Sequence, residues 1–335
     1  MITYENIKKV HLEISSLCNA RCPLCPRNFR GYNYNDGYIE RNLTLDDIHK
    51  LFPVSFINQL VTIRINGNFG DIVMNPAAPD IVNYFKYVNP KLQIKISTNG
   101  SGRSKEFWKR LAQHAEIDFC LDGLADTHHL YRQNTDWDTI LKNAGIVIKN
   151  KGIANWKFIL FDHNKHQVDQ ARKLAINLGF KNFFTVDHGR NIGPVFDNAG
   201  NLVHIMGKYK GETSFPILFY KKKNDLVLLE DILKDRKPKT KINCKTKQMS
   251  EIYVTSTGEI YPCCFTGFSP RTFGHGEYHQ AANNQIKILL PANNNALETS
   301  IQECIVWFNK IQESWSHSTY EQGRIVICDD VCGSN

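Results

Sequence analysis

Within the first ~190 residues six short apolar runs alternate with five helix-like stretches, a rhythm that calls for a parallel sheet with helices outside it. Val10, Leu12 and Ile14 alternate as a strand requires, and the run stops at Ser15-Ser16. Further strands are expected at Leu60–Ile65, Leu92–Ser97, Ile117–Leu121, Trp156–Phe161 and Phe183–Val186. Helical patterns separate them at Leu45–Leu51, Ala78–Val88, Ser104–His114, Trp137–Lys149 and His166–Leu178. Ser104 stands where an N-cap belongs, and Gly179 where a C-cap glycine does. Six units are too few to close an eightfold barrel. The expected fold is therefore α/β, a partial (β/α)6 TIM-like barrel with its chemistry at the C-terminal ends of the strands.

After about residue 190 the rhythm breaks. Gly189, Gly193, Pro194, Gly200, Gly207 and Gly211 punctuate a loop-rich connection. Between Gly207 and Lys247 stand twelve Lys or Arg against five Asp or Glu, which accounts for most of the chain's net charge of +8. This strip reads as a solvated linker, or as a surface for an acidic peptide, a phosphorylated metabolite or nucleic acid. No aromatic pattern of an RNA-binding sheet interleaves it. From Cys244 a new pattern starts. Ile252-Tyr253-Val254 and Glu259-Ile260-Tyr261 flank Thr257-Gly258 as a β-hairpin, and apolar spacing suggests one helix over Ala296–Trp315. The expected organisation is a barrel over 1–195, a basic connection over 196–243 and a cysteine-rich hairpin and helix extension over 244–335.

Cysteine placement narrows the chemistry. Met1-Ile2-Thr3-Tyr4-Glu5-Asn6 lacks the layout of a signal peptide, and no apolar run approaches the ~18 residues of a membrane span. A cytoplasmic, reducing location is the expectation, so the ten cysteines read as metal or redox ligands rather than disulfides. Cys18, Cys22 and Cys25 follow the first strand, spaced by three residues and then two. Three thiolates on so short a loop suit an iron–sulfur cluster, and on a four-iron cluster they leave one iron open to a ligand. A zinc ion would need a fourth ligand nearby, and before Leu51 only His11 and His49 are added.

Cys-x3-Cys-x2-Cys after a first strand, in a strand–helix chain, resembles the radical S-adenosylmethionine (radical SAM) superfamily. Over roughly residues 8 to 190, further pieces fall in the family's order at successive strand ends. Gly67-Asn68-Phe69-Gly70-Asp71 resembles its Gly-Gly-Glu stretch, Ser97-Thr98-Asn99-Gly100 its Thr-Asn-Gly segment, and Asp122-Gly123 with Tyr131-Arg132 its Asp-Gly…Tyr-Arg pattern. The resemblance implies Cys18, Cys22 and Cys25 as cluster ligands, with Gly70, Asp71, Ser97, Asn99, Asp122 and Arg132 about the SAM. Arg132 would partner its carboxylate. Leu24 stands where the family usually has an aromatic, and Asp71 where it has Glu.

Cys244, then Gly258-x4-Cys263, then Cys328-x3-Cys332 is similar to the SPASM/twitch extension of that superfamily. The resemblance implies one auxiliary [4Fe-4S] cluster on Cys244, Cys263, Cys328 and Cys332; a zinc knuckle on the same four is the alternative. Cys264 adjoins a ligand and on a strand would point the other way. Cys304 and Cys120 read as core.

The implied activity is reductive cleavage of SAM to a 5′-deoxyadenosyl radical that abstracts a substrate hydrogen, with the auxiliary cluster carrying electrons. An external donor such as a flavodoxin or ferredoxin would supply them. The substrate class is a small metabolite or a peptide. A first strand so near residue 7 leaves no room ahead of it for a peptide-binding domain, which tilts the reading away from leader-dependent peptides unless a partner protein supplies the recognition. Asp187, His188 and Arg190, beyond the sixth strand, are candidate proton acceptors. The alternative from another class is a non-enzymatic, zinc-stabilised protein that binds nucleic acid or another acidic partner through the basic strip.

Overall fold

The computed structural model describes residues 2–33, 39–187, 193–207, 237–268 and 285–334. Its centre is an eight-stranded sheet. The six N-terminal strands are β1 (Lys9–Leu12), β2 (Thr62–Ile65), β3 (Gln93–Thr98), β4 (Glu116–Cys120), β5 (Ile153–Ile159) and β6 (Asn182–Val186). They lie side by side in chain order and all run parallel. The remaining two come from the C-terminal hairpin, β7 (Glu251–Val254) and β8 (Ile260–Tyr261). β7 lies parallel to the free side of β1, with His11 opposite Tyr253, and β8 returns antiparallel to it. The sheet therefore runs across the expected boundaries at 195 and 243. Of the basic connection, residues 208–236 lie outside the described residues.

Alternation along the strands sorts the side chains. Ile94, Ile96, Ile117, Phe119, Ala154, Trp156 and Phe158 belong to one buried core with residues of α1 (Leu45–Leu51), α2 (Val54–Gln59), α3 (Ala78–Val88), α4 (Lys105–Ala112) and α5 (Trp137–Lys149). A sixth helix, α6 (Val168–Leu178), adds Ala171 and Ala175. The opposite face is polar: Lys95 pairs with Glu116, and Asn155 donates to both Glu116 and Asp118. Thr44 and Asp47 cap α1 reciprocally, Ser104 caps α4, and Gly179 ends α6 at φ 86°. No helix of the described residues is long and apolar enough to cross a membrane.

One expectation is refined and one corrected. The loop-rich stretch after β6 also holds a hairpin, in which Gly193–Phe196 pairs with Leu202–Met206. Ala296–Trp315 is not one helix. Asn295 turns the chain through its side chain and carbonyl, and Ser300 caps a fresh start at Ile301, its Oγ accepting the Glu303 amide. From that cap the chain forms a short helix at Ile301–Cys304, a 3-10 turn at Ile305–Trp307 and a helix at Phe308–Ser314. Side-chain oxygens at Asn295 and Ser300 compete with the helical ladder where the apolar spacing alone suggests continuity.

Candidate active site

The cysteine loop leaves the C-terminal end of β1 and folds back in tight turns. The Cys25 amide donates to the Cys22 carbonyl and the Asn28 amide to the Cys25 carbonyl, both at 2.9 Å. Arg27 ties the loop down, donating to the Ser16 carbonyl and, at 3.2 Å, to the Phe69 carbonyl. Cys22 is buried, and Cys18 and Cys25 are partly so. Burial raises all three thiol pKa values, that of Cys25 to about 12. For Cys18, the charges of Asp71, Cys25 and Cys22 add to the effect of burial. As bare thiols they hold their protons at neutral pH; a bound iron centre reverses that balance by supplying the positive charge. The donor set, three sulfurs and no fourth cysteine nearby in sequence, fits an iron–sulfur cluster. Among the described residues no three His, Cys, Asp or Glu side chains close round a single metal ion.

Side chains from the neighbouring strand ends converge on these sulfurs. Beyond β3, Asn99 places its Nδ2 3.8 Å from Cys18 Sγ and 2.9 Å from Asn19 Oδ1. Beyond β4, Asp122 is fully buried and accepts Arg132 Nε at 2.5 Å and the Ile159 amide at 2.6 Å. Held this way, Arg132 points Nη1 at Cys22 Sγ, 3.7 Å away. Beyond β2, Asp71 accepts from the Thr98 hydroxyl at 2.6 Å, the Asn99 amide at 2.7 Å and the Val73 amide at 3.1 Å. Burial raises the Asp71 pKa against the pull of those bonds. A cavity of about 460 Å³ opens beside Cys18, lined by Asn19, Ala20, Arg21 and Asn134 among others.

Gly70 shows how closely the second loop approaches the first. A Cβ there would lie 1.9 Å from the Ser15 carbonyl oxygen. The Asp71 amide donates to the Leu17 carbonyl at 2.9 Å, stitching the two loops together.

Cys18, Cys22, Cys25, Gly70, Asp71, Asn99, Asp122 and Arg132 thus gather in one place. Ser97 stands apart from them, 3.5 Å from Asp118 on the polar face of the sheet, while the neighbouring Thr98 reaches Asp71. Asp187 is exposed beyond β6, and His188 and Arg190 lie outside the described residues. Glu13 is a site residue that motif reading missed. It is buried, and its Oε1 accepts the amides of Phe69 at 2.6 Å and Gly70 at 2.8 Å.

The C-terminal cysteines form a second group. The interaction between Cys244 and Cys332 lowers the Cys244 pKa and raises that of Cys332. Burial raises the pKa of Cys263 and Cys328, and each of them also feels the charge of Cys244. Lys241–Ile242 pairs with Gly333–Ser334, which brings the two ends of this segment together. Cys264 does not lie on a strand. It opens α7 (Cys264–Phe268), where Arg64 and Glu251 act on it. Cys120 and Cys304 are buried in the core regions.

No model of a known protein family and no curated protein matches the sequence. Solved structures share the fold. SuiB of Streptococcus suis bound to S-adenosylmethionine is 13% identical with a TM-score of 0.56, over 94% of this chain and 67% of that one. The AdoMet-bound anSMEcpe is 16% identical with a TM-score of 0.56, over 93% and 81%. SuiB bound to the precursor peptide SuiA is 14% identical with a TM-score of 0.53, over 97% and 77%. The chain shares the fold of these AdoMet-bound structures.

Proposed function

We propose that this chain is a radical SAM enzyme whose sheet curves as the partial barrel of that fold. Cys18, Cys22 and Cys25 would hold a [4Fe-4S] cluster that, with SAM bound, supplies the electron for reductive cleavage to a 5′-deoxyadenosyl radical. The observation that carries this reading is the convergence of Asn99 and Arg132 on Cys18 and Cys22 from two different strand ends. Donors aimed at sulfur stabilise a thiolate-bound cluster. Arg132 keeps a full positive charge beside Cys22 and Asp122, suited to a carboxylate as well as to a thiolate. The loop of Gly67–Asp71 would receive the methionine amino group through its backbone, with Asp71 ordering the loop rather than offering a free carboxylate.

Cys244, Cys263, Cys328 and Cys332 would hold one auxiliary [4Fe-4S] cluster. With four thiolates it is closed to substrate and serves electron transfer. The reaction we infer is oxidation or another modification initiated by hydrogen abstraction. Its substrate is a peptide or a small molecule, and the peptide-bound state of the SuiB neighbour supports the peptide. Electrons would come from a flavodoxin- or ferredoxin-type donor.

The test is anaerobic reconstitution, iron counting and detection of 5′-deoxyadenosine with dithionite and SAM. Wild type is expected to hold about eight irons per chain and form 5′-deoxyadenosine. Cys22→Ala should keep about four irons and form none. Equal product from both proteins, or about two zinc ions and no iron in the wild type, would overturn the proposal.

A further inference from the structure

The loop proposed to receive the SAM amino group is held at two points by the C-terminal segment, once by its hairpin and once by the start of α7. Glu13 is 1% exposed and makes the first hold. While its Oε1 accepts the Phe69 and Gly70 amides, its Oε2 accepts the Tyr253 hydroxyl at 2.6 Å, across 240 residues of sequence. Tyr253 is fully buried on β7, and burial keeps its hydroxyl protonated, so it serves as a donor. The second hold is Asn68, whose Nδ2 donates to the Cys264 carbonyl at 2.9 Å. Cys264 directly follows Cys263, one of the four C-terminal thiols. The loop has little freedom to absorb a shift, because Gly70 already lies against the Ser15 carbonyl.

From this geometry we propose that Glu13 is a positioning residue coupling the two centres. It holds the Gly67–Asp71 loop in its SAM-receiving form only when the segment carrying Tyr253 and Cys263 is in place. Occupancy of the C-terminal thiol site therefore raises the affinity for SAM, and by linkage SAM binding tightens the C-terminal site. This inference rests on the reading of that loop as the SAM site, and SAM binding itself is the readout that separates the two.

The experiment measures SAM binding by equilibrium dialysis to anaerobically reconstituted protein, with iron content determined in parallel. Glu13→Ala is expected to weaken binding about tenfold while iron is retained. In Glu13→Gln the amide oxygen still accepts the two amides and the amide nitrogen faces the Tyr253 oxygen, so binding should stay near wild type. Tyr253→Phe removes only the hydroxyl link and keeps the packed ring; it is expected to weaken binding about fivefold, which covers the case in which Glu13→Ala does not fold. Cys328→Ala should weaken binding in the wild-type background and add nothing in the Tyr253→Phe background. Wild-type affinity in Tyr253→Phe, or an equal effect of Cys328→Ala in both backgrounds, would overturn the coupling alone. A wild-type protein that holds its iron yet binds no SAM would overturn the functional reading, and the coupling with it.

Discussion

His11 shows how a single side chain ties stability to pH. Its Nε2 lies 2.7 Å from the Asn66 carbonyl and so carries the proton, while Nδ1 is buried with no hydrogen-bond partner. Burial, reinforced by the charge of Arg64, holds its pKa down to about 4. The unfolded chain takes up a proton near pH 6.5 and the folded one only near pH 4, so stability is full above pH 6.5 and declines as the pH falls between those values. We expect a loss on the order of 3 kcal/mol by pH 4, seen in urea titrations at stepped pH and reduced in His11→Gln. The Asp122–Arg132 pair makes the opposite demand, because its charge must stay. Asp122→Asn leaves a largely buried guanidinium without its carboxylate and should destabilise cluster-free protein by about 3–5 kcal/mol in the same titrations. Asp122, Arg132, Asn99 and the first three cysteines were legible in the sequence because each belongs to a spaced motif at a strand end. Glu13 was not. One acidic residue beyond a strand has no spacing to mark it, and its partner Tyr253 lies 240 positions away.

Among the elements, two glycines separate close approach from mere permissiveness. At Gly70 an added Cβ would strike backbone, which neither loop can move aside. Gly70→Ala should lower the melting temperature, cost about 3 kcal/mol and weaken SAM binding, all measurable on one preparation. Gly145 lies inside α5, where an added Cβ would meet nothing within 4 Å. Gly145→Ala should stabilise the protein by about 0.5–1 kcal/mol in denaturant melts, since alanine loses less backbone freedom in a helix. The N-terminal helices were readable for the same local reasons, since apolar periodicity and capping residues agree at α4 and α6. The Ala296–Trp315 region misled because its apolar spacing is set by packing, while Asn295 and Ser300 decide where helix begins. The hairpin of Gly193–Phe196 and Leu202–Met206 was hidden by its glycines and proline. Its Val195 and Met206 are buried against Ala20, Cys22, Tyr131 and Phe161, a cluster that forms only once the cysteine loop is in place.

At the scale of the whole molecule, the order of the sheet was legible for six strands and not for the seventh. Nothing in Ile252-Tyr253-Val254 specifies β1 as its neighbour; that pairing arises because the free side of β1 needs a ladder partner. A chain ending at 243 should express poorly and scatter light on concentration, and separately supplied residues 244–335 should restore solubility. Full solubility of the shorter chain as a monomer would contradict this. The same arrangement sets a schedule for biosynthesis. The first strand leaves the ribosome some 240 residues ahead of the strand that must cover its flank. At ordinary rates of translation that is a wait of roughly 10–50 s. Throughout it the nascent polypeptide presents an open template for mispairing, so chaperone supply in the host should govern recombinant yield more strongly than codon choice or inducer strength.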